Sequence, residues 1–587
     1  MTVHIPSLWH SLRLSGAGLL AALLVACGGS SPDDPGTPFA QQRLDWQACD
    51  PDQLGEEAAH ALTQLGARAQ CTLMRAPLDY SHPDRGELQV AVLRVAAEQP
   101  WKRVGAIFFN PGGPGGDGTG FAAVQAAAWR YAKPDSATGQ LLMQLANRYD
   151  LVGFAPRGVG ASSPLTCESA ELNEIQFNLS FDRSPQNVGN ALRNARLEAD
   201  ACRTNPLSPH IHTDATARDM DLLRALLGDR QLNYIGYSYG SWLGTWYASL
   251  FPDRVGHMLL DSSMDVGADF DAATLQREMG HQRTMDEILL PYVARHPELF
   301  NLGSSAIALR ATLLALAPAI KSQLFSALNF NDSALIDRNG LLLNAGIHLN
   351  ALREQLPMAD ADQLHAAIDA HAFIPAAEEN QAAVFFAHRL ADRLLAAPAR
   401  ASILLAPPAA VNVSVRCNDL ATRASEQYWI DVGNDYAARY PFFGGAATEN
   451  PCLYWGAPRA VRPPLSAAAT AVPLLLLQSR YDALTPVEGA QANLEILPNA
   501  RLIVVEDEYA HGVFPYGDPC VDEKVAHYFL RGAVPARLSH CTGKLLAGDV
   551  PTSAARLVAQ AAQESTRDQD FMARIRRQIG VPAPRGL

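Results

Sequence analysis

A serine flanked by glycines, Gly236-Tyr237-Ser238-Tyr239-Gly240, stands between an apolar run and a helical one. Leu232-Asn-Tyr-Ile-Gly236 reads as a short buried strand, and Ser241 to Leu250 as a helix. A strand that turns at once into a helix through small residues leaves few architectures open. The glycines let the backbone cross close to its neighbours, and the turn lifts the serine hydroxyl into the open at the helix N-terminus. The pentapeptide alone is a weak signal, since a chain of 587 residues holds about 0.2 such matches by chance. Its position between strand and helix is what constrains the fold.

The same alternation runs through the flanking sequence. Strands are expected at Leu88–Val95, Val104–Phe109, Tyr149–Phe154, Val255–Leu260, Val472–Leu477 and Ala500–Val505, with a helix over Thr216–Leu227 stopped by Gly228. Apolar strands alternating with helices predict an α/β fold, its mostly parallel central sheet covered by helices on both faces. The rhythm breaks over 266–410, which is rich in Ala and Leu and helical in pattern. That stretch is expected to be an inserted helical cap between a first core part, 41–265, and a second, 411–545. Residues 546–587 read as a C-terminal helical tail.

A serine hydroxyl needs a base to become a nucleophile. After a strand–serine–helix turn the partners follow as acid, then His, each past a strand end. Asp482 follows the run ending at Leu477, and His511 follows the run ending at Val505. His511 would take the Ser238 proton and return it to the leaving group, with Asp482 orienting the imidazole. Asp261, at the end of the strand after the turn, is the rival acid; Asp507, four residues before His511, reads as a surface acid. The developing oxyanion needs two donors. One is expected from the Tyr239 N–H and the other from Gly113, in the loop Asn110-Pro-Gly-Gly-Pro-Gly-Gly116. That loop lacks the Lys-Ser/Thr ending of a phosphate loop and the spacing of a dinucleotide site. The chemistry calls for neither a metal nor an organic cofactor.

The N-terminus has the pattern of a signal peptide over 1–26: Arg13 is the one basic residue in the first sixteen, and Ala17–Ala26 is apolar and too short to span a bilayer. Leu24-Val-Ala-Cys27 resembles a bacterial lipobox, which would place a lipid on Cys27 and make 27–40 a flexible tether. The membrane is then met only through that anchor. Eight further cysteines form four sequence-local pairs, Cys49/Cys71, Cys167/Cys202, Cys417/Cys452 and Cys520/Cys541. Joining neighbours is the simplest connectivity, and spacing alone leaves others open. No cysteine or histidine spacing matches a zinc site. A net charge of −13 without a basic run points away from nucleic acid.

Several spaced motifs together resemble the secreted tripeptidyl aminopeptidases, relatives of prolyl aminopeptidase within the α/β-hydrolase fold. They are Asn110-Pro-Gly-Gly-Pro-Gly, Gly153-Phe-Ala-Pro-Arg-Gly-Val-Gly160, Gly236-Tyr-Ser-Tyr-Gly240 and Asp482-Ala-Leu-Thr-Pro486, with Cys71–Tyr80 and Arg416-Cys-Asn-Asp419 beside them. The resemblance implies a C-terminal segment of the tripeptidyl-aminopeptidase type over about 440–545, a triad of Ser238, Asp482 and His511, and a peptide substrate with a free N-terminus. Two positions depart from the pattern: Ala155 stands where the family has Asp, and Ala510 where it has Gly. The Asp is expected to brace a turn with the neighbouring Arg. Glu378 and Glu379 lie in the cap, and neither is assigned to the substrate amine. A carboxylester hydrolase with the same triad, or an inactive surface binding protein on this fold, are the competing readings. The complete triad and oxyanion loop argue against the last.

Overall fold

The structure is a computed structural model describing residues 38–419, 421–422 and 425–549. The expected signal peptide, Cys27, most of the tether and the helix expected within the tail lie outside the described residues. The strands are β1 (Gln47–Ala48), β2 (Ala69–Pro77), β3 (Glu87–Val95), β4 (Gly105–Asn110), β5 (Tyr149–Phe154), β6 (Cys167–Leu172), β7 (Leu232–Tyr237), β8 (Val255–Asp261), β9 (Ser402–Leu405), β10 (Leu475–Ser479), β11 (Arg501–Glu506) and β12 (Leu538–Thr542).

Ten of them form one sheet in the order β1-β2-β3-β5-β4-β7-β8-β10-β11-β12. The first three pair antiparallel, as do β3 and β5; every pairing from β5 to β12 is parallel. Strands β4, β5 and β7 are buried at every position. They read as nearly continuous apolar runs because helices cover both faces. Alternate side chains go to opposite sides. Ile107, Phe109, Ile235, Leu477 and Val505 join one core, with helices 118–130 and 519–531. Phe108, Tyr234, Leu260, Leu476 and Val504 join the other, with helices 213–226 and 239–250.

After β4 the chain moves to β5 on one side, then returns to β7 on the other. That reversal opens a crevice at the carboxyl ends of β4 and β7, where open α/β sheets bind ligands. Register aligns the strand ends: Asn110 pairs with Gly236, Tyr237 with Asp261, Asp261 with Leu477, and Ser479 with Val505. Loops leaving β4, β7, β8, β10 and β11 therefore meet above one edge of the sheet.

Over 270–395 the chain is helical, from Phe270–Arg283 to Ala377–Leu395, with its own core around Leu289, Phe300, Leu343, Leu349 and Leu390. The helical pattern expected over 266–410 misses β9, which pairs antiparallel with β6 in a separate two-stranded sheet. Four residues of strand are too few for period-two alternation to register against Ala/Leu-rich flanks. Helices 407–419 and 426–439 follow before the main sheet resumes at β10. Disulfides join Cys49–Cys71, Cys167–Cys202, Cys417–Cys452 and Cys520–Cys541.

The turn after β5, where Ala155 replaces the bracing Asp of the resembling family, is braced by an acid from outside the turn. Arg157 is fully buried and binds Asp219 of helix 213–226 in a fork, Nε to Oδ2 at 2.8 Å and Nη2 to Oδ1 at 2.7 Å. Its remaining N–H groups reach the carbonyls of Pro77, Leu78 and His210. Ala155 is therefore tolerated: the guanidinium is neutralised from the helix. Removing one member of a buried pair strands the other's charge. Arg157→Met should cost about 3–5 kcal/mol in a denaturant titration. Adding Asp219→Leu to that variant should recover part of the loss; equal stability of the two variants would contradict the pairing.

Candidate active site

The turn at Ser238 is held by sterics and by hydrogen bonds. A Cβ on Gly236 would lie 2.5 Å from Gly240 O, and one on Gly240 would lie 2.9 Å from Asn110 O, so both positions require glycine. Ser238 adopts φ 57°, ψ −123°, a conformation costly for a residue with a Cβ. The surroundings hold it there. Ser238 N–H donates to Asp261 O at 3.0 Å, and Ser238 O accepts from the Ser241 N–H at 2.8 Å and the Ser241 hydroxyl at 2.6 Å. Helix 239–250 starts at the next residue, and its first N–H groups have no intrahelical acceptor. The Tyr239 N–H is the first of these.

The glycine loop after β4 lies directly against this turn. Gly112, at φ 95°, is the residue in closest approach: a Cβ there would lie 2.5 Å from Tyr237 O and 3.0 Å from Ser238 Cβ. The Gly112 N–H binds Asn110 Oδ1 at 3.0 Å, and Gly112 O accepts from the Gly116 N–H at 3.0 Å. Because a trans peptide directs its N–H opposite to its C=O, the Gly113 N–H lies on the side away from Gly116.

The structure brings Asp482 and His511 together. His511 Nδ1 is 3.0 Å from each carboxylate oxygen of Asp482, and both side chains are fully buried. Asp482 also accepts the Leu484 and Thr485 N–H groups at 2.9 Å each, and the Thr485 hydroxyl at 3.1 Å. Burial alone would raise its carboxyl. The His511 ring and these donors outweigh that and hold it below the ordinary carboxylate range. His511 Nε2 is buried and makes no hydrogen bond, to Ser238 Oγ or to any other described group. Such contacts commonly tighten only when substrate binds. The open nitrogen is the one a general base needs, since Nδ1 is committed to the acid.

Sequence reasoning missed how completely the histidine loop is fixed. The Tyr509 and Ala510 N–H groups bind Glu508 Oε1 at 2.8 and 2.9 Å, and the His511 N–H binds Asn331 O of the cap at 2.9 Å. The Gly512 N–H binds the Ser262 hydroxyl at 2.7 Å. The Val513 N–H binds both Asp261 oxygens at 3.0 and 3.1 Å, and the Phe514 N–H binds Oδ2 at 2.7 Å. Asp261, the rival acid, thus holds backbone rather than imidazole. Burial pushes its carboxyl up to about 7, against these N–H groups and His511. Its place at a strand end was the available signal; Glu508 carried none. Asp507 is exposed, as read from the sequence. Ala510 has no positive φ and its carbonyl accepts from the Ser479 hydroxyl at 2.7 Å, so glycine is not required there.

The cap reaches the same place. Thr284 donates its hydroxyl to Tyr481 O at 2.8 Å, and Ala483 and Tyr509 belong to the cap's core. His281 lies within the field of Asp482 and His511 and stacks on Phe443 at 5.3 Å. Desolvation, then Arg277, hold its imidazole down to about 4, so it is neutral at neutral pH. Glu378 is exposed and Glu379 half-buried in the first turn of helix 377–395. Among the described residues no cluster of His, Cys, Asp or Glu is arranged to hold a metal ion, and no helix is long and apolar enough to cross a membrane.

Two family models match the chain: the alpha/beta hydrolase fold over residues 105–299, and TAP-like protein over residues 440–541. With the sheet order and the serine turn, they make this chain a serine hydrolase of the α/β-hydrolase fold. More narrowly, it is similar to tripeptidyl aminopeptidase of Streptomyces coelicolor, 29% identical over 520 residues, covering 86% of this chain and 86% of that one. It is also similar to serine protease Hip1 of Mycobacterium tuberculosis, 25% identical over 551 residues, covering 91% and 97%. Carboxylesterase B of the same organism is 28% identical over 517 residues, covering 86% and 91%.

Asp482 and Asp261 make separable contributions. Asp482→Asn should lower kcat by about 10⁴-fold with KM little changed, because the imidazole loses its orienting anion. Asp261→Asn keeps one acceptor for the loop and should cost about 10²-fold at most. Steady-state kinetics on the two variants check this; the reverse order of losses would make Asp261 the catalytic acid.

Proposed function

We propose that this protein is an exported aminopeptidase that removes single residues or short peptides, tripeptides included, from peptide N-termini through an acyl-enzyme on Ser238. The observation that carries the catalytic part is the Asp482–His511 pair, whose Nε2 is left without a hydrogen bond, on a loop that Asp261 ties to the strained serine turn. In this reading Nε2 takes the Ser238 proton as Oγ attacks the scissile carbonyl. The Tyr239 and Gly113 N–H groups receive the oxyanion. His511 then gives its proton to the departing amine, and a water molecule, activated by the same nitrogen, releases the acyl group.

Peptide substrates are supported by similarity to tripeptidyl aminopeptidase along 86% of the chain. Export is supported by the 1–26 pattern and by four disulfides, which form and persist in oxidising compartments. A lipid on Cys27 would hold the enzyme at the cell envelope. Esterase activity is the second reading, favoured by the similarity to Carboxylesterase B. The two differ in what they need from the substrate: an aminopeptidase recognises a free α-ammonium, and an esterase has no use for one.

A fluorophosphonate should label Ser238, and Ser238→Ala should abolish the labelling. A tripeptidyl amide should be turned over and its N-acetylated form should not. Equal rates on the two amides, with faster turnover of short-chain esters, would overturn the aminopeptidase reading in favour of the esterase.

A further inference from the structure

Helix 407–419 touches one half of the proposed oxyanion site and reaches the other through Thr213. Near its start, Pro408 O presses on the glycine loop so closely that a Cβ on Gly115 would lie 2.5 Å from it. One turn on, Asn412 Nδ2 donates to Pro114 O at 3.3 Å. At its end Asp419 is fully buried. Its carboxylate accepts the Thr213 N–H at 2.8 Å and the Thr213 hydroxyl at 2.5 Å. Thr213 Oγ1 is in turn 2.5 Å from the hydroxyl of Tyr239.

A threonine hydroxyl has a single proton. Burial pushes the Asp419 carboxyl up to about 7. When Asp419 is ionised, Thr213 gives its proton to the carboxylate and the Tyr239 hydroxyl donates to Thr213, so the relay then runs from Tyr239 through Thr213 to Asp419. Its far end is anchored. Asn418 Nδ2 donates to Ser208 O and Ile211 O at 2.8 and 3.0 Å, its Oδ1 accepts from Trp455 Nε1 at 2.8 Å, and Cys417 is bonded to Cys452. Its near end is the side chain of the residue whose backbone N–H follows the nucleophile. That ring is buried, and a buried hydroxyl that loses its partner is costly. Moving the Tyr239 backbone means breaking the relay.

We infer that Asp419, Thr213 and the Tyr239 hydroxyl are positioning residues: they fix the Tyr239 N–H, and helix 407–419 sets its distance from the Gly112–Gly116 loop. This rests on the reading of Ser238 as nucleophile. Oxyanion donors act at about 2.7–3.1 Å, so a relay that holds one donor against the other governs transition-state binding without touching the substrate. No motif rule singles out Thr213, and Asp419 stands in the run Arg416-Cys-Asn-Asp419 without a role read for it; the sheet and helix 407–419 bring the two together across 206 positions of sequence.

The test uses the full-length enzyme, with Tyr239→Phe, which removes one oxygen, and Thr213→Val against Thr213→Ser. Tyr239→Phe and Thr213→Val should lower kcat and the rate of fluorophosphonate labelling at Ser238 about tenfold or more. A peptide boronic acid, which forms a tetrahedral adduct, should weaken by the same factor, while KM and the affinity of a product tripeptide stay within about twofold. Thr213→Ser, which keeps the hydroxyl, should recover most of the loss. If Thr213→Val fails to fold, Tyr239→Phe decides alone. Unchanged kcat in Tyr239→Phe at an unchanged melting temperature would overturn the relay, as would equal losses in KM and boronate binding. A wild type that turns over substrate with Ser238 unlabelled would overturn the nucleophile assignment, and the relay with it.

Discussion

Asp261 takes the Ser238 N–H on its carbonyl oxygen and the Val513 and Phe514 N–H groups on its carboxylate. One residue at the end of one strand thus joins the loop of the serine to the loop of the histidine. The remaining geometry builds outward from that link. Ser238 can hold its unfavourable backbone conformation because the Asp261 carbonyl and Ser241 fix both its ends. His511 can offer a bare Nε2 because each N–H around it already has an acceptor in the protein. A buried carboxylate with backbone donors is demanding to desolvate, and here its hydrogen bonds go to two N–H groups of the histidine loop.

Much of this was readable from the sequence because the fold writes a local rule. Strands buried on both faces are short apolar runs, and β4, β5, β7, β8, β10 and β11 fall within a few residues of the expected runs. Ser238, Asp482 and His511 stand past the ends of β7, β10 and β11, and two of these three expected residues, Asp482 and His511, are hydrogen-bonded to each other. The four cysteine pairings were legible for a similar reason, since each bridge closes a loop of 21 to 35 residues.

What the sequence did not carry is long-range. Arg157 finds Asp219 rather than an acid of its own turn, because helix 213–226 brings that carboxylate beside it. Strand β9 forms only because β6, more than two hundred residues earlier, gives it an edge. Glu508 looks like one of three consecutive polar residues, Glu506-Asp507-Glu508; burial separates it from exposed Asp507 by a single position. Thr213 carries no local signal, and Asp419, though it ends the run Arg416-Cys-Asn-Asp419, takes its role from the contact with Thr213. In each case a side chain's role is set by packing that no local period encodes.

The cap and the sheet are not independent units at the active site. The His511 N–H ends on a cap carbonyl, Thr284 of the cap ends on the acid loop, and cap packing includes Ala483 and Tyr509. The cap and the sheet edge are therefore joined at the loops that carry Asp482 and His511. The most direct test is to quench a reaction with a tripeptidyl ester in acid during turnover and weigh the active-site peptide. The mass of one tripeptidyl acyl group should appear on the fragment containing Ser238, and should be absent in His511→Ala. Turnover with that fragment unmodified, or with the acyl group on another residue, would contradict the account.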